Sequence, residues 1–201
     1  MRGIEHIPWA YDFFMEVAER FGLRDWRQQL VGEAKGRVLD LGCGTGRNLR
    51  LFDAESRVTG LELDLGLLAA ARRRAPDLPL VVGRAEDLPF RSRSFDTVVS
   101  SLVFCSVADP ERGLRETARI LDWGGQLRML EHVRSSQRLL GWVQDVVQPA
   151  WTWLAGGCHP NRRTEATVEQ AGFVIERHEI PGRTTVRCFV AHPRRTAPAV
   201  D

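Results

Sequence analysis

Scarcity sets the first limits on this chain of 201 residues: it has one lysine, one tyrosine, four cysteines and no long unbroken apolar run. A membrane-spanning helix needs about 18 or more consecutive apolar residues, and none is present. Glu5, His6 and Asp12 interrupt the apolar amino terminus, which therefore lacks the core of a signal peptide. The cysteines, Cys43, Cys105, Cys158 and Cys188, include no C-x-x-C pair. That pattern suggests neither a disulfide framework nor a zinc site, and it fits a reducing cytoplasm. Net charge is scarce too: 28 basic against 26 acidic residues leave +2, too little for a general field toward nucleic acid. Lys35 is the only lysine, so every other basic residue is an arginine. This bias reads as a mark of genome composition or heat adaptation ahead of an arginine patch for an anionic partner.

What is present suits one compact enzyme domain. The composition is 43% hydrophobic and 27% charged, which is globular, and the length supports a single core. Residues 8 to 34 read as helical, with Phe13, Phe14, Val17, Ala18 and Phe21 at helical spacing before a break at Gly22. Short strands then alternate with helices at 38–41, 57–62, 79–83, 95–101 and 125–131, the pattern of βαβ units in a parallel sheet. Asp109 and Pro110 mark a helix start, and Gly124-Gly125 close the next connection. Two last strands, at 173–178 and 186–191, are joined by Pro181-Gly182 with no helix between, so they must be antiparallel.

The most informative stretch is Arg37-Val38-Leu39-Asp40-Leu41-Gly42-Cys43-Gly44-Thr45-Gly46, an apolar strand running into three glycines and then a helix. Such a turn at the carboxyl end of a parallel strand is where open α/β folds bind ligands. A dinucleotide fingerprint would place its third glycine at position 47, which is Arg47 here. This disfavours a nicotinamide-dependent oxidoreductase. Asp40 would repel a pyrophosphate and attract an ammonium group, and S-adenosylmethionine carries the latter and no phosphate.

These residues resemble the first motif of class I S-adenosylmethionine-dependent methyltransferases. The resemblance implies a Rossmann-like α/β fold, with helices on both faces of a seven-stranded, mostly parallel sheet whose last strand is antiparallel. It also implies S-adenosylmethionine as cofactor. Glu62, ending Val58-Thr59-Gly60-Leu61-Glu62, stands about 20 residues after the glycines, where the ribose hydroxyls are held. Ala85 and Glu86, in Gly83-Arg84-Ala85-Glu86-Asp87, correspond to the loop that borders the adenine, although the acidic residue often found before the alanine is Arg84. Asp40, Gly42, Cys43, Gly44, Gly46, Asn48, Leu63, Ser101 and Leu102 complete the cofactor residues that the resemblance implies.

A narrower resemblance covers about residues 9 to 192. Ser94-Phe95-Asp96, Glu131-His132-Val133, Gly157-Cys158 and Arg162-Arg163-Thr164 are similar to the type 11 methyltransferase group, which includes alkyl thiol methyltransferases and, more distantly, bacterial phospholipid N-methyltransferases. The animal thiol enzymes have a hydrophobic amino-terminal anchor that this sequence lacks. The acceptor implied is a small apolar nucleophile, a thiol or an amine-bearing lipid or metabolite, with a quinone-type carbon or oxygen as the alternative. A non-catalytic S-adenosylmethionine-binding module also remains open. Nucleic-acid methylation is disfavoured, because neither a basic domain nor an Asn-Pro-Pro-aromatic signature is present.

For the acceptor side, His132 past the fifth strand is read either as a general base or as a partner for a loop backbone. His159 lies in a Gly/Pro-rich loop and Cys105 lies beyond the fourth strand, where acceptors pass or a buried thiol packs. Residues 139–154 hold Trp142, Trp151 and Trp153 and read as an amphipathic cover over an apolar pocket, as a surface that touches a membrane, or as core aromatics. Trp9, Tyr11 and Phe14 come from the amino-terminal helix, with Tyr11 as the lid residue. The expected organisation is a helical lid at 1–34, a cofactor-binding core at 35–193 with an acceptor-cover insertion at 135–163, and a polar tail at 194–201. No metal site is read.

Overall fold

Alternation along the strands decides the architecture, because successive side chains of a strand point to opposite faces and both faces here are apolar. The computed structural model describes residues 7–155, 157–180 and 185–194, with the backbone alone at 10, 11, 14, 18, 21 and 177–180. The Pro181-Gly182 turn and the end of the polar tail lie outside the described residues. Seven strands form one sheet: β1 (Arg37–Leu41), β2 (Arg57–Glu62), β3 (Leu80–Val82), β4 (Phe95–Ser101), β5 (Leu121–His132), β6 (Phe173–Ile180) and β7 (Val186–Pro193). Their order is β3-β2-β1-β4-β5-β7-β6, and only β7 is reversed against its neighbours. The doubly wound sheet with a reversed last strand is the expected one.

Among the described residues six α-helices cover it: α1 (Pro8–Ala18), α2 (Arg24–Gly32), α3 (Leu65–Arg74), α4 (Pro110–Ile120), α5 (Arg138–Leu154) and α6 (Thr164–Gln170). On one face Leu39, Val98, Leu127, Met129 and Phe189 pack with Leu114 and Ile120 of α4 and Val168 of α6. On the other, Val38, Val58, Val99, Leu130 and Cys188 pack with Leu30 and Val31 of α2 and Ala71 of α3. Neighbours in sequence such as Leu39 and Val38 thus enter different cores. No described helix is long and apolar enough to cross a membrane.

The local chemistry of the helix starts follows the sequence. Asp109 accepts from the Arg112 N–H at 3.0 Å with Pro110 in the first turn, and Asp64 caps α3 by accepting from Gly66 and Leu67 N–H. Two readings need correction. The segment after the glycines is not a helix but a run of four-residue turns, with Gly46 N–H bonded to Cys43 O, Leu49 to Gly46 and Leu51 to Asn48. Gly42, Gly44 and Gly46 all have positive φ, which prevents the helical register from being established. Strand β5 begins four residues before Gly125, at Leu121, because the glycine pair forms a bulge: Phe95 faces Leu121 and Thr97 faces Gln126.

The amino-terminal segment is helical from Pro8 to Gly32, interrupted by a π-helical stretch at Glu19–Leu23 that contains Gly22. It is fastened to the sheet by Arg128, a residue of β5 that is only 1% exposed. The guanidinium donates to the carbonyls of Leu30 at 2.7 Å and Gln29 at 3.3 Å, and pairs with Glu33 at 3.3 Å. The last carbonyls of a helix lack internal partners and favour a cation, so Arg128 serves as the carboxyl cap of α2. Arg128→Leu keeps the apolar stem and removes these bonds. It is expected to cost about 2–3 kcal/mol, the scale for bonds to a charged group. A lowered denaturant midpoint at constant slope would show it; an unchanged midpoint would remove the clamp.

Candidate functional site

Asp40, at the end of β1, is completely buried. Its Oδ1 accepts from Asn48 Nδ2 at 2.9 Å, while Oδ2 has no hydrogen-bond partner among the described residues. Burial pushes its pKa up to about 7, with the Asn48 bond and the Arg27 charge pulling the other way. On the neighbouring strand, Ser101 at the end of β4 carries a second buried and unpartnered atom, Oγ. Two orphaned polar atoms at adjacent strand ends are costly unless a polar ligand completes them. An ammonium group fits Asp40 Oδ2, so the residues present suit the cofactor that the glycine motif implied.

The turn itself is built on glycine. Gly42 has φ +66°, and a Cβ there would come within 2.6 Å of Val103 Cγ2, so both the backbone conformation and the packing require glycine. Glu62, ending β2, is oriented by three backbone donors. Its Oε2 accepts from Gly44 N–H at 2.9 Å, and its Oε1 accepts from Leu63 and Asp64 N–H at 2.8 and 2.9 Å. A lone pair of Oε2 stays available for a hydroxyl. Leu63 is exposed, Ala85 is buried, and Cys43 is buried with its thiol pKa pushed up by burial. Leu102 follows with φ 60°, a strained conformation for a side chain of its size. Glu86 Oε1 accepts from Ala108 and Asp109 N–H at 3.2 and 3.3 Å, so its carboxylate braces the entry to α4.

Arg47, which stands where a dinucleotide fold would have glycine, reaches back to the amino-terminal segment. It pairs with Asp12 at 3.3 Å, Glu16 at 3.0 Å and Glu19 at 2.6 Å. Asp12 also accepts from Thr45 Oγ1 at 2.7 Å and Arg74 Nη2 at 2.9 Å. These bonds hold the carboxyls of Asp12 and Glu19 below their usual range, despite the opposing effect of burial. Nothing in the spacing signalled this latch.

His132, Cys105 and His159, which the sequence reading put on the acceptor side, gather around the end of β5. Glu131 is fully buried and accepts from Ser100 Oγ and from the N–H groups of Val103, Phe104 and Cys105. Its neighbour His132 lies beside Cys158, with Nδ1 3.6 Å from Sγ. Cys105 reaches the same group: the two Sγ atoms and a His132 ring nitrogen lie within 4.8 Å of one another. The neighbouring Cys158 thiol and burial raise the Cys105 pKa, whereas Cys105 lowers that of Cys158, with help from His132. Burial opposes a charged imidazole at His132, but Cys158 and the Glu131 charge outweigh it and raise its pKa. His159 donates its N–H to the Cys105 carbonyl at 2.8 Å and pairs through Nδ1 with Gln148 at 2.9 Å. Arg162 Nη1 donates to the carbonyls of Phe104 and Val107 and holds the turn that bears Cys105. Cys158 and Arg162 fell inside motifs quoted from the sequence, yet only the fold shows that they meet His132 and Cys105.

The tryptophans do not form a closed cover. Trp9, Trp142 and Trp153 are 76%, 61% and 66% exposed, in line with the exposed Leu139 and Val146 on one face of α5. Trp151 is the member that approaches the cluster, edge-on to the His132 ring with centroids 6.5 Å apart. Helix α5 turns this face outward because Gln144 holds the opposite one: it accepts from Ser135 N–H at 2.7 Å and donates to Val133 and Pro160 carbonyls at 3.0 and 2.8 Å. The side chains of Tyr11 and Phe14 lie outside the described residues.

A family model described as a methyltransferase domain matches residues 39–129. The chain is 36% identical over 146 residues to the thiol S-methyltransferase TMT1B of Rattus norvegicus, covering 68% of this chain and 59% of that protein. It is 32% identical over 166 residues to the demethylmenaquinone methyltransferase of Thermotoga maritima, covering 78% and 72%. Thus the chain spans about three fifths of the length of the thiol relative. A solved complex between the Haloferax volcanii Trm112 methyltransferase activator and a methyltransferase shares the fold, with TM-score 0.70, 24% identity and coverage of 97% and 100%.

Two cofactor predictions follow. Glu62→Ala is expected to weaken S-adenosylmethionine binding by about 1.5–3 kcal/mol, as for a lost bond to a charged group, and Gly44→Val to weaken it further. Calorimetry checks both, and unchanged affinity in a folded Glu62→Ala protein would take Glu62 out of the site. The second concerns pH. Asp40 titrates near 3.9 when unfolded and about 7 when folded, so stability of the cofactor-free protein falls as pH rises between those values. An ammonium at Oδ2 favours the carboxylate, so S-adenosylmethionine affinity should rise about fivefold from about pH 6 to about pH 7, and Asp40→Asn should flatten that rise. A flat wild-type profile would show that Asp40 does not face the cation.

Proposed function

Because the chain belongs to the class I S-adenosylmethionine-dependent methyltransferases, we propose that it transfers the cofactor's methyl group to the sulfur of a small apolar thiol. When bound, S-adenosylmethionine supplies an electrophilic methyl on its sulfonium. The chain's own residues have to hold an acceptor in line, keep water out and remove the acceptor's proton. A thiol with pKa about 8.5 needs only modest help with that last step.

The observation that carries the reading is the grouping of His132, Cys105 and Cys158 beside Trp151 at the carboxyl end of β5. It combines an apolar approach with groups able to take a proton, which suits an acceptor that arrives apolar and protonated. His132 is engaged by Cys158, so the proton is handled by the group as a whole rather than by a free imidazole. The match to the rat thiol S-methyltransferase supports sulfur as the acceptor atom. Tyr11, carried on α1, is the lid residue of this reading, and the Arg47 latch keeps α1 over the glycine turn. A quinone-ring carbon is the second reading, favoured by the larger share covered in the match to the Thermotoga maritima enzyme.

An acceptor screen read by S-adenosylhomocysteine release is expected to show turnover with alkyl thiols and not with amines. His132→Ala should lower kcat with thiols by about 100-fold or more, the lower end for lost proton-transfer assistance, with S-adenosylmethionine affinity unchanged. Release with a demethylated quinone alone would move the acceptor atom to carbon. Binding without release from any acceptor would reduce the chain to a binding module.

A further inference from the structure

Three side chains with soft donor atoms meet where the sheet ends. Cys105 comes from the turn after β4, His132 from the last residue of β5 and Cys158 from the loop after α5. Their ligand atoms all lie within 4.8 Å of one another, the one such group of potential metal ligands among the described residues. Cys105 and Cys158 are 1% and 6% exposed.

The spacing has a meaning of its own. The 3.6 Å from Cys158 Sγ to His132 Nδ1 suits a hydrogen bond to sulfur and also has a second meaning. It matches the edge of about 3.6 Å that a tetrahedral ion imposes when its bonds to sulfur and nitrogen are about 2.3 and 2.0–2.1 Å. The corresponding edge between two sulfurs is about 3.8 Å, so a separation of at most 4.8 Å closes by small side-chain rotations. We propose that Cys105, His132 and Cys158 form a mononuclear site for a thiophilic divalent cation, with zinc as its natural occupant.

The backbones that carry these ligands are already held. Cys105 N–H donates to Glu131 Oε2 at 3.2 Å, and its carbonyl accepts from His159 N–H at 2.8 Å. The Cys158 carbonyl accepts from Thr152 Oγ1 at 2.9 Å, and the His132 carbonyl from Thr164 Oγ1 at 3.3 Å. Glu131 is not a fourth ligand, because its oxygens already accept four donors. Binding replaces the two thiol protons, released to solvent, by one dication and leaves the buried group neutral, with no change of oxidation state. Three protein ligands leave the fourth vertex open, the arrangement of catalytic rather than structural zinc. The site stands whatever the acceptor proves to be.

The test uses the full chain, reduced and stripped with a chelator under anaerobic conditions, then titrated with Co²⁺ alone as the probe. The expected result is one equivalent bound, with the intense visible bands of a tetrahedral ion and a thiolate-to-cobalt charge-transfer band, both bleached by Zn²⁺. Cys105→Ser and Cys158→Ser should each weaken binding at least about 100-fold, since even residues that only steady a ligand are worth about 10–100-fold. Cys188→Ala, a buried thiol elsewhere in the core, should bind cobalt as the parent does. S-adenosylmethionine affinity, measured on every variant, shows that each has folded. The proposal is overturned by the weak spectrum of octahedral aqueous cobalt, by a tetrahedral signal that survives both serine substitutions, or by a Cys105–Cys158 disulfide in anaerobically prepared protein.

Discussion

A carboxylate sealed inside a protein must find donors, and a parallel sheet has backbone donors to give where its strands stop. Glu131 joins these two needs. It stands near the end of β5, fully buried, and its Oε1 alone accepts from Ser100 Oγ and the N–H groups of Val103 and Phe104, at 3.0, 2.9 and 2.9 Å. Burial raises its pKa while the four donors oppose that rise, so the ionised form is tolerated only with the turn after β4 wrapped around it. The wrapped turn has two consequences. It presses Val103 against Gly42, shaping the cofactor turn, and it delivers Cys105 to His132 and Cys158.

Carboxylates act in the same way at the ends of the other central strands. Glu62 gathers three N–H donors around the glycine turn, and Asp40 takes Asn48 on one oxygen while the other stays without a partner. Asn48 accepts in turn from Arg27 at 2.7 Å, and Arg27 pairs with the buried Glu19 at 3.3 Å. A continuous polar path therefore links the cofactor end of β1 to the amino-terminal segment. Arg47 and Arg74 make a second link to the same segment through Asp12. Because the Arg47 and Arg74 pairs with Asp12 are only partly shielded from water, each contributes modestly, and their joint effect with the buried Arg27–Glu19 pair is to fix the position of the segment.

Much of this was legible in the sequence, for reasons that are local. The glycine triplet, the strand-end acids Asp40 and Glu62, and the Asp109-Pro110 helix start all carry their chemistry within a few residues. The alternation of strands with helices from β1 to β5 pointed to a parallel sheet. What escaped notice depends on distant residues. No spacing rule brings Cys105, His132 and Cys158 together, since a separation of 26 or more residues carries no short-range signature. The outward turn of Trp142 and Trp153 was hidden for a similar reason: an amphipathic pattern shows that two faces differ, and Gln144, bonded to Val133 and Pro160, decides which one meets the protein. The helix expected after Gly46 failed because three left-handed glycines outweigh the ordinary strand-to-helix pattern.

The central claim is that the ends of β1 and β2 form a cradle for S-adenosylmethionine, with Asp40 toward its ammonium and Glu62 toward its ribose. A crystal structure grown with S-adenosylhomocysteine tests it most directly. The account predicts both ribose hydroxyls on the Glu62 carboxylate and the ammonium within hydrogen-bond reach of Asp40 Oδ2. A product seated elsewhere, or bound over the glycine turn with its ribose away from Glu62, would contradict it.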